Sequence, residues 1–175
     1  MATKNSVSLQ KAIDSLSIQD VYLKSSQAEC SEGFDPKRTE HTELLVQQMH
    51  IVRGSEILQT NEGNLILKVY VRLGTRWGMP VEGSEPEVKA LVEADFIAEY
   101  TMAELLETEA VDEFSLKNAS FHVWPYWREF LSSQCERLRL PRVVLPTVQF
   151  NAVCAIKLAS PPAGDGAVTP STHGR

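Results

Sequence analysis

Glu93, Asp95 and Glu99 are the residues whose types and spacing invite a chemical reading, because neighbouring carboxylates can divide general acid and general base work between them. They fall at alternate places in a run where Val88, Ala90, Val92, Ala94, Phe96 and Ala98 interleave with Lys89, Leu91, Glu93, Asp95, Ile97 and Glu99. Strand alternation alone puts such charges on the solvated side of a sheet, and this simpler reading is preferred. His41, His50, His122 and His173 are scattered. Cys30, Cys135 and Cys154 are odd in number and widely spaced, with no C-x-x-C pair, so neither a zinc site nor a disulfide framework is implied. The P-loop, G-x-G-x-x-G, H-E-x-x-H and G-x-S-x-G patterns are missing. The sequence predicts no catalytic, cofactor or metal residues, and a protein that is not an enzyme.

Two features remain. Between Glu82 and Glu113 eleven acidic side chains face Lys89 alone, a local charge of -10. Such a block either keeps the protein soluble or docks a basic partner. The second is aromatic: Phe121, Trp124, Tyr126, Trp127 and Phe130 are five of the chain's thirteen Phe, Tyr and Trp residues. Val123, Trp124, Trp127, Leu131, Cys135 and Leu138 follow the three-and-four spacing of one helical face, which predicts a core or subunit-interface helix. Pro125 lacks an N-H and disfavours helix at Trp124, so the regular helix is expected to begin there, after a looser turn over 119–123, and to stop at Leu140-Pro141.

The elements that position these residues follow from periodicity. Leu9, Ile13 and Leu16 suggest a short amphipathic helix in an N-terminal extension over 1–16. Strands are expected at Ile18 to Ala28, Thr42 to Val52, Leu65 to Leu73 and Val88 to Ala98. Asn61-Glu62-Gly63 makes a turn, and Gly74 to Pro86 reads as a loop rich in Gly and Pro. The connections are too short for helical crossovers, so the sheet is antiparallel. Met102 to Val111 is helical in composition, and Val148 to Leu158 predicts a final short helix. The tail over 159–175 is Pro- and Gly-rich and is expected to be disordered. The layout is α+β: a four-stranded antiparallel sheet with a long helix and a final short helix on one side, in a main domain over 17–158. The sheet's other face and the aromatic helix should keep surplus apolar surface, which an oligomer would cover.

Net charge of -6 and a pI near 5.3 disfavour nucleic acid as the main ligand. Neither a signal peptide nor a run of about 20 apolar residues is apparent, so the expected location is cytoplasmic, without membrane insertion.

Trp124-Pro125-Tyr126-Trp127-Arg128-Glu129 is similar to the Phe-Pro-Tyr-Ala-Arg-Glu hallmark near the start of the long helix of SecB, the bacterial protein-export chaperone. Downstream, Leu140-Pro141-Arg142-Val143-Val144-Leu145-Pro146-Thr147-Val148-Gln149-Phe150-Asn151-Ala152-Val153 resembles that family's Phe-Pro-x-Leu-x-Leu-Ala-Pro-Val-Asn-Phe-Asp-Ala-Leu. The resemblance spans about Ile18 to Leu158 and is most specific from Trp124 to Val153.

It implies a dimer of dimers with the long helices sandwiched between sheets. It also implies an ATP-independent holdase, without cofactor, that binds unfolded preproteins and keeps them competent for export through the Sec translocase. The client groove it implies is lined by Leu44, Val46, Tyr126, Phe130, Val144, Phe150 and Val153. The positions matching the family's docking carboxylates for the SecA motor are Ser25, Glu29 and Glu93, one of them a serine here. The crossover lacks the family's Trp, with Phe34 the only nearby aromatic, and Ile97-Ala98 replaces a glycine pair ending the fourth strand. A divergent SecB-like branch guards the antitoxin of a toxin-antitoxin pair, which makes an antitoxin the alternative partner. A small-molecule-binding or enzymatic protein reusing the sheet is the second alternative.

Overall fold

The computed structural model describes residues 7–38 and 43–145, with the backbone of 156–157. Helix α1 (Val7–Ser15) runs into strand β1 (Leu16–Cys30), and a single 3-10 turn at Pro36–Arg38 lies in the crossover to β2 (Leu45–Gln59). A hairpin follows: β3 (Leu65–Met79) pairs antiparallel with β2, turning through Thr60 to Asn64, where Gly63 adopts a φ of 88°. β4 (Glu87–Met102) pairs with β3 on one side and β1 on the other. A fifth strand, β5 (Ile156–Lys157), pairs antiparallel with the start of β2, giving the order β1-β4-β3-β2-β5.

One face of the sheet forms the core. Leu67, Val69, Val71 and Leu73 on β3 and Val92, Ala94, Phe96, Ala98 and Tyr100 on β4 are all buried there. Lys68, Tyr70 and Arg72, and Glu93, Asp95 and Glu99, point the other way and are partly covered. The period-two pattern thus becomes two faces of different chemistry.

Helix α2 (Thr108–Phe114) leads through a π-helical turn (Ser115–Ala119) directly into α3 (Ser120–Leu138). Val123, Trp124, Trp127, Leu131 and Cys135 are buried within the single chain, and Leu138 is partly buried. The stripe is packed into the core of the single chain. Leu140-Pro141 stops the helix as expected: Arg139 takes a left-handed conformation (φ 59°), the Leu140 N-H bonds to the Cys135 carbonyl at 2.9 Å, and the Arg139 N-H approaches that of Glu136 at 3.4 Å. This is the paired 6→1 and 5→2 closure of a Schellman motif.

Several boundaries differ from expectation. Pro125 lies inside α3, five residues after its start, and the predicted loose turn is itself π-helical and then helical. Burial of Val123, Trp124 and Trp127 outweighs the local cost of a proline. β3 runs on through Gly74 to Met79 instead of ending in a loop, because Trp77 turns inward and is fully buried. The glycines serve close approach: a Cβ on Gly78 would lie 2.7 Å from Pro86 Cβ, and one on Gly74 would lie 3.0 Å from Glu93 Cγ and Met49 Cε. β4 extends to Met102, so helix begins only at Thr108.

The four expected strands are present, and among the described residues a two-residue fifth, β5, is added at the β2 edge. Ile156–Lys157, expected in the final helix, pair instead with Leu45 and Val46 of β2, satisfying backbone groups there. The rest of that predicted helix and the expected disordered tail lie outside the described residues.

Candidate functional site: a client-binding surface

The positions expected to line a groove fall into two groups. Leu44 and Val46, just before and within β2, are only 4% and 1% exposed. Val46 pairs with Trp77 on β3 and, on its other side, with Ile156 on β5. Tyr126 on α3 and Val144 beyond it are 47% and 80% exposed. Phe130 joins the helix to the sheet: its ring stacks on Trp127 (centroids 6.1 Å apart) and meets Phe96 of β4 edge-on at 6.3 Å. Phe150 and Val153 lie outside the described residues. Among the described residues, Leu44 and Val46 thus offer little open surface, while Tyr126 and Val144 offer much.

The opposite sheet face is polar and internally paired. Arg72 donates two hydrogen bonds to Asp95 directly across the β3-β4 pair, Nε to Oδ1 at 2.9 Å and Nη2 to Oδ2 at 2.6 Å. Ser25 Oγ donates to the same carboxylate at 3.0 Å, and Arg53 lies 3.7 Å from it. The Arg72 guanidinium and the Ser25 hydroxyl hold the Asp95 carboxyl below its ordinary pKa, against the opposing effect of burial. Glu93 meets Arg76 at 3.1 Å and Glu99 meets Lys68 at 3.5 Å. These acids form no free catalytic set, and neither are they a fully solvated fringe, since each is mostly covered and paired.

The same geometry reinterprets the acidic block. Glu87 pairs with Lys89, Glu104 with Lys11 of α1 and Glu113 with Lys117 of the π turn. Glu107 and Glu109 sit at the N-cap and in the first turn of α2, where the helix dipole favours negative charge. Of the two carboxylates matched to motor docking, Glu93 is held by Arg76, and Glu29 accepts from Gln27 Nε2 at 3.0 Å.

Two contacts at the start of α3 were not foreseen. His50 Nε2 lies 2.5 Å from Ser120 Oγ, and Tyr100 Oη lies 2.9 Å from His122 Nδ1. Burial pushes both histidines below the ordinary imidazole pKa and Tyr100 well above the phenol value. The phenol keeps its proton, and phenol and imidazole share one hydrogen bond. His50 and Ser120 have the composition of a base and nucleophile, but Ser120 is only 1% exposed and no substrate can reach it. Both contacts instead fasten the helix start to β2 and β4. Only the inward position of Tyr100 in the β4 alternation hinted at a hidden partner. Burial likewise pushes the Cys135 thiol up, away from reactivity.

Among the described residues no cluster of His, Cys, Asp or Glu could hold a metal ion, and no helix is long and apolar enough to cross a membrane.

An antiparallel sheet with the long helix packed over one face is the fold of the SecB-like chaperones. The chain is similar to the Mycobacterium tuberculosis Rv1957 SecB-like chaperone, solved in complex with a ChAD peptide from the Rv1956 HigA1 antitoxin. The two share 16% sequence identity and superpose with a TM-score of 0.63, over 84% of this chain and 100% of that one. No protein-family model matches the chain, and no curated protein matches it.

Proposed function

We propose that this chain is an ATP-independent chaperone of the SecB-like kind, which holds extended apolar segments of unfolded polypeptide. The single observation that supports this most is the SecB-like fold across 84% of the chain. Physics suits the role: apolar burial at roughly 25 cal/mol per Å² is non-directional and retains a segment without reading its sequence. Tyr126, Phe130 and Val144 supply accessible or partly accessible apolar surface for it, with Phe150 and Val153 assigned to the same groove. As an export holdase, the protein would act in the cytoplasm as a dimer of dimers and deliver unfolded preproteins to SecA through Glu29 and Glu93. The test is whether stoichiometric protein slows aggregation of a denatured secretory precursor and co-elutes with it in gel filtration; no suppression and no co-elution would overturn the reading.

A second reading, a chaperone dedicated to an antitoxin, has two observations in its favour. The similar Rv1957 protein was solved with an antitoxin-derived peptide. The carboxylate at Glu93 is already neutralised by Arg76, and Ser25 stands at the third docking position. Client pull-down separates the readings: one dominant partner supports the dedicated role, many precursors the export role. Capture of a metabolite instead of any polypeptide would support a small-molecule protein.

A further inference from the structure

Two bulges in the sheet fall at one height. On β1 the pairing with β4 skips Lys24, between Leu23 opposite Phe96 and Ser25 opposite Asp95. On β2 the pairing with β3 skips Arg53, between Val52 opposite Val71 and Gly54 opposite Tyr70. Phe96 and Val71 are themselves opposite each other, so the single row Leu23, Phe96, Val71 and Val52 abuts both bulges. A bulge frees one residue from the ladder and re-aims its side chain. Both freed residues are cations, and beside the second Gly54 takes a φ of 148°, which other residues rarely adopt.

The two side chains reach inward over the polar sheet face from opposite sides. Lys24 Nζ crosses β4 to lie 4.8 Å from the centre of the Tyr70 ring on β3, and Arg53 Nη1 crosses β3 to lie 3.7 Å from Asp95 Oδ1 on β4. With Tyr70 and Asp95 they line a hollow of about 280 Å³. Neither cation is satisfied there. Asp95 Oδ1 already accepts from Arg72 Nε at 2.9 Å, and Oδ2 accepts from Arg72 Nη2 and Ser25 Oγ. Arg53 stands beyond hydrogen-bond distance of that carboxylate. Glu56, the other carboxylate beside Tyr70, accepts from the Tyr70 hydroxyl. Among the described residues Lys24 has its ring contact and no ion pair.

We infer that Lys24 and Arg53 form an anion site on the polar sheet face that takes a phosphoryl group, as free phosphate or as a phosphate monoester. The guanidinium offers a fork of N-H donors and the ammonium a compact charge, and both suit phosphoryl oxygens. A phosphoryl group brings about two negative charges and three acceptor oxygens at neutral pH. A carboxylate brings one charge, less able to offset repulsion from Asp95 and Glu56. The site goes beyond the chaperone reading and does not depend on it, since the proposed client surface lies on the helix side of the sheet.

Equilibrium dialysis against radiolabelled inorganic phosphate, at an ionic strength held constant with chloride, tests the site in three proteins. These are the parent, Lys24→Gln with Arg53→Gln, and Lys37→Gln with Arg38→Gln, which removes the same charge from the exposed crossover turn. The parent should bind saturably, the first variant about tenfold more weakly, and the crossover variant within about twofold of the parent. O-phosphoserine then competes for the bound label. Displacement at a lower concentration than unlabelled phosphate needs assigns the site to monoesters, and displacement only at an equal or higher one assigns it to free phosphate; both support a phosphoryl site. No saturable binding by the parent, equal losses in the two variants, or no loss in the Lys24 and Arg53 variant overturns the inference. Each of these leaves the chaperone reading standing, and failure of client capture leaves the phosphoryl site standing.

Discussion

Asp95 and Arg72 face each other across the two central strands and meet through two hydrogen bonds of 2.6 and 2.9 Å. The pair is the hub of the polar sheet face, with Ser25 and Arg53 converging on the same carboxylate. Asp95→Asn should cost roughly 1 to 3 kcal/mol at neutral pH, the range for hydrogen bonds to a charged group, read as a shift in the urea midpoint. Because the folded carboxyl titrates below its unfolded value of about 3.9, its contribution is present above that pH and is lost as pH falls through the folded pKa. The variant and parent should therefore converge in stability at strongly acid pH; an undiminished gap would contradict the pairing.

Tyr126 and Trp127 are neighbours with opposite surroundings, one half exposed and the other in the core. Trp127→Ala should lower stability by roughly 3 to 5 kcal/mol through lost burial and the cavity left behind. Tyr126→Ala should change stability by less than about 1 kcal/mol and weaken capture of an unfolded precursor severalfold. Denaturant titrations beside a binding isotherm for each variant check both halves. Equal unfolding by the two would remove Tyr126 from the client surface.

Gly78→Ala would drive a methyl group against Pro86, and should cost roughly 1 to 3 kcal/mol. Combining it with Pro86→Gly takes away the opposing Cβ. A double-mutant cycle should then show favourable coupling between the two changes; strict additivity would place the contact elsewhere.

His50 and His122 are both held below the ordinary imidazole pKa by burial. The unfolded chain takes up their protons first, so stability should fall as pH drops below about 6.5, through the window down to the folded values. Replacing both by Gln should flatten the stability profile between pH 7 and pH 5. A slope as steep as the parent's would point to other groups.

Much of the sheet was legible because Leu65 to Leu73 and Val88 to Ala98 alternate cleanly, and the end of α3 was marked by Leu140-Pro141. Gly74 and Gly78 misled because glycine marks turns in sequence, whereas here it makes room between strands. Pro125 misled because its local preference is overridden by the tryptophans on either side of it. The acidic block looked bare because most of its cations come from other parts of the chain, Lys11 from α1 and Lys68, Arg72 and Arg76 from β3, while Lys117 lies just past its end. The partner of the start of β2 was hidden for a similar reason, since β5 comes more than a hundred residues later.

The π turn fixes an angular relationship along the whole helical run. Val111, Ser115, Ala119, Val123, Trp127, Leu131 and Cys135 succeed one another every fourth residue, and all are buried. In an uninterrupted helix of 3.6 residues per turn such a series precesses by about 40° at each step, carrying Cys135 far around the cylinder from Val111. One wider turn accommodates an extra residue and winds back part of that precession, which keeps the first and second halves aimed at the same sheet. The length of 115–119 is thus under tighter constraint than its side chains. Removing one residue there would rotate the tryptophans by about 100° and turn the core outward, while many substitutions at exposed Leu116 or Lys117 would leave the aim unchanged.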